Sequence, residues 1–379
     1  MTTMKIYVPQ SEDPVRIDAD FEGGCLDRAV RCGENWYFLE LRPDTPYQFR
    51  FRIQGCKGRR ILFSFRCRDY KPTLAHWNDG NLHFRNGDQL VPPVITYNGT
   101  DYQDVDHFEN DRSTWNNLFV IDQTFTEDCA WVSSSPVYLY SDMMRFLDGL
   151  PPCPFLKRSS IGVSRNGIEQ PLLEIAENPE AKQAVFFISR EDADEFTGSF
   201  AFEGLLLELL GDSPLAQRMR RRFRFFAVPM VGVDGVIAGS YHSAGYGYGG
   251  LRFHRDYCPD ELVNVKRFAH SLVERGLSFA LAGKVHGNWT YTHGPVDFMA
   301  ADRKLCQVAL ENRTDIWNPA PEVVQLTIRP KGYFERFMLD EFGLTSVFGC
   351  HLNGFSPENL RTKGRDMMRA LFRYLETRE

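Results

Sequence analysis

Residues 184–211 read AVFFISREDADEFTGSFAFEGLLLELLG, and this stretch decides the fold of the larger part of the chain. Its first five residues are apolar without alternation, the residues that follow are polar and acidic, and the remainder is rich in Leu and Phe. A short continuous apolar run is typical of a strand buried on both faces, as in a parallel sheet covered by helices. The stretch therefore predicts a strand, a polar loop at its carboxyl end and a helix.

The same alternation of apolar runs and helical patterns continues on both sides of that stretch. The other predicted strands cover residues 172–177, 223–231, 278–287 and 343–354. The other long predicted helices cover residues 260–277 and 356–376, and Ser356 with Pro357 is a good helix start. This order predicts an α/β domain with a mixed, mostly parallel sheet flanked by helices.

The first part of the chain has a different pattern of short β-type runs broken by Gly, Pro, Asn and Asp. In YQFRFRIQ, residues 47–54, apolar and polar side chains alternate, which is typical of half-buried antiparallel strands. Two such sheets can bury each other, so we predict an antiparallel β-sandwich. Pro151, Pro152 and Pro154 end a short helix, and we place the boundary there, with domains at 1–150 and 151–379.

Composition excludes several classes of protein. The 379 residues are 43% hydrophobic and 25% charged, which is ordinary for a folded globular chain. No apolar stretch approaches the roughly 20 residues of a membrane span, and the start lacks the features of a signal peptide. The nine cysteines form no Cys-x-x-Cys pair, so a reducing, cytoplasmic location is expected. The net charge is −6 and the one dense basic run, residues 218–224, is interpreted as a helix end, so no nucleic-acid partner is predicted.

Most candidate polar groups fall in three segments that follow predicted strands. They are residues 189–199 (SREDADEFTGS), 239–257 (GSYHSAGYGYGGLRFHRDY) and 284–294 (KVHGNWTYTHG). Since functional groups collect where parallel strands end in loops, these segments are expected to converge at one edge of the sheet.

Eight segments, in the same order, resemble the cytosolic-type zinc carboxypeptidases, a metallopeptidase family with an N-terminal β-sandwich domain. In the peptidase part, residues 189–210 resemble the Ala-Arg-x-His-Pro-Gly-Glu stretch and its helix, and 228–242 the Pro-Met-x-Asn-Pro-Asp-Gly-Val run. The other similar segments are residues 20–30, 41–53, 136–150, 162–175 and 284–288, and FHRDY (253–257) falls where Leu-Asn-Arg-x-Trp is expected. The resemblance implies a hydrolase that removes the terminal residue from a peptide or protein C-terminal tail.

The resemblance also implies one bound metal ion. The family's His, Glu and distant His ligands correspond to Asp192, Glu195 and His286. Zinc is the expected ion, but two carboxylates and one imidazole form a harder site that would also accept manganese or iron. From the residues alone, the acidic cluster at 191–195 has a second interpretation as a solvated loop.

Substrate-binding positions carried over from the family are more altered. The Asn-Arg pair that holds the substrate carboxylate corresponds to His254 and Arg255, and the family's other Arg corresponds to His242. Arg252 stands where the family has Asp and adds a positive charge, and Arg336 matches an Arg beside the substrate side-chain pocket. Arg252 and Arg336 can equally be surface charges.

The family's general base, a Glu on a late strand, corresponds to Cys350. A buried thiol does not exchange protons as a carboxylate does. His351 is adjacent in sequence, but neighbouring residues of a strand point to opposite faces, which disfavours a Cys-His nucleophile.

Three functional hypotheses remain open from the sequence. The first is a metal-dependent carboxypeptidase of altered specificity whose base is unidentified. The second is a catalytically silent relative, with or without an ion, that recognises a peptide tail or an acidic ligand. The third is an amidase or esterase that uses His242, His254 and His293 around the metal.

Overall fold

The computed structural model describes most of the chain. The described residues are 14–42, 48–67, 85–86, 89–90, 92–110, 119–240, 260–287, 297–300, 302–311, 323–325, 333–352, 354 and 356–377. They fall into two compact units, of which the first includes 14–139 and 235–240 and the second includes 140–234 and the described residues from 260 onward. The predicted boundary near residue 150 stays a prediction, and the helix at 140–148 groups with the second unit.

The described part of the first unit contains twelve short strands. They are β1 (Arg16–Asp18), β2 (Arg28–Gly33), β3 (Trp36–Leu41), β4 (Arg50–Gln54), β5 (Arg60–Cys67), β6 (Arg85–Asn86), β7 (Gln89–Leu90), β8 (Val94–Thr96), β9 (Gln103–Asp104), β10 (His107–Asn110), β11 (Phe119–Thr124) and β12 (Cys129–Ser133). Two five-stranded sheets run in the orders β1-β4-β12-β8-β9 and β10-β11-β5-β3-β2, and β6 pairs with β7. All their pairings are antiparallel except β3 with β5.

Aromatic side chains join the two sheets of the first unit. Phe51 of β4 packs against Phe63 of β5 with ring centroids 5.2 Å apart, and Phe49 lies 4.6 Å from Phe65. All four rings are buried, as the alternation in residues 47–54 predicted for Phe49 and Phe51. Arg50, expected on the polar face, is also buried, because its guanidinium stacks on Phe21 and donates to a backbone carbonyl. The predicted β-sandwich is confirmed.

The second unit alternates strands and helices. Its strands are β13 (Leu156–Val163), β14 (Glu169–Ile175), β15 (Gln183–Ser189), β16 (Phe223–Val228), β17 (Ser278–His286), β18 (Asp297–Ala300), β19 (Val323–Gln325) and β20 (Val347–His351). Its helices are α1 (Tyr140–Asp148), α2 (Phe196–Leu210), α3 (Pro214–Arg222), α5 (Asp260–Glu274), α6 (Arg303–Glu311), α7 (Phe334–Phe342) and α8 (Pro357–Glu376). The short α4 (Val233–Ile237) runs from the second unit into the first.

One eight-stranded sheet, in the order β13-β14-β16-β15-β17-β20-β18-β19, organises the second unit. The β16-β15-β17-β20 centre is parallel, as is the β18-β19 pair, whereas β13, β14 and the β18-β20 pair run antiparallel. The predicted mixed, mostly parallel sheet is confirmed.

Helices cover both faces of this sheet. Phe186 of β15 faces the core that contains α5 and α7, where it packs edge-on against Phe268 and Phe334. Its neighbour Phe187 faces the other side, where Phe225 meets Phe372 of α8. Burial of two successive aromatic residues on opposite faces explains the continuous apolar run by which this strand was predicted. Within the described residues, no helix has the length and apolar character needed to cross a membrane.

The predicted solvated helix end at residues 218–224 is correct only in part. Arg218 and Arg221 are largely exposed, but Arg220 is buried, pairing with Glu177 and stacking on the Phe155 ring. Arg220 also donates to the carbonyls of Leu209 and Gly211, so it closes the end of α2.

A buried carboxyl on α5 makes stability depend on pH. Burial raises the pKa of Glu261 to about 7, with the Asp234 carboxylate adding to the effect. Because the folded-state pKa lies above that of the unfolded chain, stability should fall as pH rises between the two values and level off above about 7. We expect the unfolding free energy of Glu261→Gln, relative to wild type, to rise by about 2 kcal/mol between about pH 5 and pH 8.

Urea denaturation at several pH values would measure this difference. The matched control is Glu274→Gln, which removes an exposed carboxylate from the same helix and should give a small difference that is constant with pH. A constant difference for Glu261→Gln as well would contradict the assignment.

Candidate functional site

Two adjacent parallel strands end at the same place and bring the candidate ligands together. β15 ends at Ser189, and residues 190–195 form the loop that leads into α2. β17 pairs with β15 in parallel, with Ser189 beside Val285, and ends at His286. This edge, where the carboxyl ends of parallel strands meet, is the position expected for a functional site in such a sheet.

The three predicted metal ligands converge there. Asp192, Glu195 and His286 offer oxygen and nitrogen atoms that all lie within 4.8 Å of one another. His286 Nδ1 and Glu195 Oε2 are 2.7 Å apart, and the backbone N–H of Gly287 donates to the same oxygen at 3.4 Å. Asp192 and His286 are buried, and the Glu195 side chain is 13% exposed. Ligands contributed by two separate strand ends are therefore close enough to hold one ion.

The donor set fits a divalent cation. Asp192 Oδ1 is buried and has no hydrogen-bond partner among the residues that the structure describes. Leaving a charged oxygen buried without a partner is costly, and a cation among the three side chains would supply one. Two carboxylates and an imidazole are acceptable ligands for zinc and also for manganese or iron.

The loop that carries Asp192 and Glu195 is fastened at its start. Arg190 has a positive φ of 54°, a backbone region that is uncommon outside glycine. Its buried guanidinium donates through Nε and Nη2 to the Ala193 carbonyl and through Nη1 to Ser199 Oγ on α2. The Gly232 N–H donates to the Arg190 carbonyl from the neighbouring segment. These bonds hold the turn in a conformation that the sequence alone would not favour.

The interpretation of residues 191–195 as a solvated loop is wrong. Glu191, Asp192 and Asp194 are 1%, 6% and 6% exposed. Carboxylates are almost never this buried unless they are paired or bind a metal. The acidic side chains of this segment therefore lie inside the protein and not in solvent.

A lysine inside the sheet accounts for one of these carboxylates. Lys284 Nζ lies 2.5 Å from Glu191 Oε2 and 4.0 Å from Glu335 Oε2, and all three side chains are fully buried. Burial raises the pKa of Glu191 above its ordinary value, against the opposing effect of the Lys284 ammonium. Burial alone would lower the pKa of Lys284, but the carboxylates around it, led by Glu191, raise it above its ordinary value. Lys284 therefore stays charged.

Cys350, at the position matched to the general base, is not arranged for acid–base work. Its Sγ lies 3.3 Å from Met367 Sδ of α8, within the core. Burial raises the pKa of the thiol far above its ordinary value, and the Glu335 carboxylate adds to this shift. The thiol therefore stays protonated. In the register of β17 and β20, position 350 pairs with Val285, and the position beside His286 is 351.

Among the predicted substrate-binding residues, Arg336 is the one that the structure describes. Arg336 lies on α7 with its Nε 2.8 Å from Asp340 Oδ2, one helical turn along. His242, Arg252, His254, Arg255 and His293 all lie outside the described residues. Their proposed roles, and with them the amidase or esterase hypothesis, stay predictions.

Lys284 and Glu335 were missed from the sequence. The available signal was a lone lysine in an otherwise apolar strand, SFALAGKVH. Such a residue must be paired when buried, and its partners here come from a distant loop and a distant helix, which spacing does not reveal. The segment was singled out as a polar strand end, but within it only His286 was assigned a role, through the resemblance.

Comparison with known proteins shows which families and proteins this chain is similar to. Residues 143–255 match the model of the zinc carboxypeptidase family. Cytosolic carboxypeptidase 2 of Xenopus tropicalis is 27% identical over 255 residues, covering 61% of this chain and 26% of that protein. The chain thus spans about a quarter of the length of the first curated relatives it matches. The predicted cytoplasmic location agrees with the names of these relatives.

Solved structures share the fold over nearly the whole chain. A metallo-carboxypeptidase from Burkholderia cenocepacia superposes with a TM-score of 0.74 at 17% identity, covering 96% of this chain and 99% of its own. A metallo-carboxypeptidase from Pseudomonas aeruginosa, in complex with (2-guanidinoethylmercapto)succinic acid, gives 0.70 at 15% identity over 95% and 99%. At these identities the likeness shows the fold alone.

Proposed function

We propose that this chain, a relative of the zinc carboxypeptidases, binds one divalent ion through Asp192, Glu195 and His286 and recognises the C-terminus of a peptide or protein there. The observation that carries the proposal is the convergence of three donor side chains within 4.8 Å around a buried carboxylate oxygen, Asp192 Oδ1. When bound, the ion supplies a positive charge that polarises a carbonyl oxygen and activates a water. Zinc is the expected ion.

The side chains of the chain itself have distinct tasks in this proposal. Glu195 accepts one hydrogen bond from the backbone N–H of Gly287 and shares another with His286, so the loop after β15 is joined to the end of β17 before an ion arrives. Arg255 is assigned to the terminal carboxylate of the peptide, for which a planar guanidinium is well suited. His254, His242 and Arg252 are assigned to substrate binding together with Arg255. We leave Arg336 out of this group because its guanidinium is paired with Asp340.

Hydrolysis of the bound tail is a separate question from binding. Cys350 is buried as a thiol, and it offers no carboxylate to accept a proton from water. Binding without turnover is therefore the form of the function that the geometry supports best. A carboxypeptidase that uses another base is the second candidate, favoured by the convergence of Asp192, Glu195 and His286.

A paired-peptide experiment tests the proposal. Fluorescently labelled peptides of one mixed sequence library, with either a free or an amidated C-terminus, are titrated with the zinc-loaded protein. Loss of a charge-assisted carboxylate bond costs about 1.5–3 kcal/mol, so the amidated form should bind roughly 10–100-fold more weakly. Arg255→Met should remove this discrimination. Equal binding of both forms by the wild-type protein would contradict the proposal.

The same samples decide between binding and hydrolysis. Mass spectrometry of the free-acid library after incubation reports any loss of the terminal residue. Intact peptides support a silent site, whereas release that Glu195→Gln abolishes identifies a carboxypeptidase. Cys350→Ser should change neither binding nor release.

A further inference from the structure

We infer that Lys284 is a positioning residue, which tethers the loop carrying two of the three candidate ligands to the strand carrying the third. This inference rests on the proposed function, since it concerns the same metal site. It gives a role to the buried charged side chains of Lys284, Glu191 and Glu335, which are not among the candidate metal ligands.

The connection runs through neighbouring residues in the chain. Lys284 precedes His286 by two positions on β17, so both side chains emerge from the same face of the sheet. Glu191 immediately precedes Asp192 in the loop after β15, and its carboxylate lies 2.5 Å from Lys284 Nζ. A single ion pair thus joins the two segments that supply ligands, one residue from Asp192 and two residues from His286.

The pair has no competing partner in the loop. Glu191 Oε1 has no hydrogen-bond partner among the described residues, so Lys284 is the fixed point for that carboxylate. Both side chains are completely buried, which removes water as a substitute. In such surroundings, removing one partner is strongly destabilising, because the other is left buried and uncompensated.

A third element completes the tether. Glu335, in the first turn of α7, places Oε2 4.0 Å from Lys284 Nζ, and the ammonium lies 5.2 Å from the centre of the Tyr333 ring. Gly349 of β20 makes room for this carboxylate, since a Cβ there would collide with Glu335 Oε1. The group contains two acidic side chains and one basic side chain, so removing Lys284 alone or together with Glu191 separates the effect of charge from that of position.

The test compares Lys284→Met with the double variant Lys284→Met/Glu191→Gln. The double variant removes one basic and one acidic side chain together, so it keeps the balance of charged groups but has no tether. Hydrogen exchange of residues 190–195 in metal-free protein reports the position of the loop, and competition of zinc with a chromophoric chelator reports affinity. We expect both variants to exchange faster in this segment and to bind zinc roughly 10–100-fold more weakly, the usual cost of losing an outer-shell partner.

Arg220→Met is the matched control, because it also removes a buried cation from an ion pair. The Arg220 side chain joins Glu177 to the end of α2 and not to the ligand loop. It should leave zinc affinity and the exchange of residues 190–195 unchanged. If the double variant shows the hydrogen exchange and the zinc affinity of the wild-type protein, the inference is wrong and Lys284 serves only to balance charge. A wild-type protein that binds no zinc would overturn the proposed function instead, while the exchange measurement still decides the inference.

Discussion

Glu195→Gln should remove most of the stabilisation that zinc gives to this protein. The substitution keeps the size of the side chain and an oxygen that can accept from His286 and Gly287, but it removes the negative charge facing the ion. Losing a direct ligand should cost more than the roughly 10–100-fold loss associated with outer-shell partners. At free zinc about 1,000 times the wild-type Kd, stabilisation should fall from about 4 to about 1.4 kcal/mol or less.

Thermal or urea unfolding with and without zinc measures this effect. Glu174→Gln is the control, because Glu174 is similarly half-buried, with its side chain 19% exposed against 13% for Glu195, and is paired with Arg224 elsewhere in the sheet. It should retain the full response to zinc. Equal zinc stabilisation of the Glu195→Gln and wild-type proteins would contradict the assignment of this carboxylate as a ligand.

Gly364→Ala should destabilise the second unit by about 2–3 kcal/mol, against the trend of helix propensity. Gly364 lies within α8, where a Cβ would fall under 3.0 Å from the Ala201 carbonyl of α2. Gly204 of α2 meets the Arg361 backbone in the same way, so the two helices cross in direct backbone contact. In a solvent-exposed helix, replacing Gly by Ala would stabilise the protein by about 1 kcal/mol. A loss of stability would therefore report the collision of the added Cβ with the neighbouring helix.

Denaturant unfolding of Gly364→Ala and Gly204→Ala would test this packing. Gly33→Ala is the control, because its nearest neighbour is Trp36 Cβ at 3.6 Å, an ordinary contact. Its stability should stay within about 0.5 kcal/mol of wild type. Stabilisation of the two helix variants would mean that α2 and α8 are not packed at these glycines. Because α2 begins next to Glu195, this crossing also supports the ligand loop.

The fold could be predicted because its determinants are local and repeated. Apolar runs such as AVFFI identify strands buried on both faces, and the alternation in residues 47–54 identifies half-buried strands. Neither pattern contains the strand order, and the parallel β3-β5 pair within the first unit was not foreseen. Pairing between distant strands depends on packing that a single segment does not record.

The place of the candidate site, where parallel strands end, could be predicted from the pattern, but its ligands could be predicted only through the resemblance to a family. Composition gave Asp192 and Glu195 an interpretation as a solvated loop, whereas the structure buries the segment against β17. Glu191 of this segment is paired with Lys284, a lone charge in an apolar strand whose partners lie 93 and 51 residues away in sequence. Likewise the side to which Cys350 points follows from the packing of α8 against β20.

The central claim is that Asp192, Glu195 and His286 hold one divalent ion, and zinc content after equilibrium dialysis tests it most directly. Metal-free wild-type protein and the His286→Ala variant are dialysed against buffered zinc, and bound zinc per chain is measured by elemental mass spectrometry. Circular dichroism confirms that both remain folded. We predict one tightly held ion per wild-type chain and none in His286→Ala. A wild-type chain without zinc, or a folded His286→Ala chain that retains it, would contradict the claim.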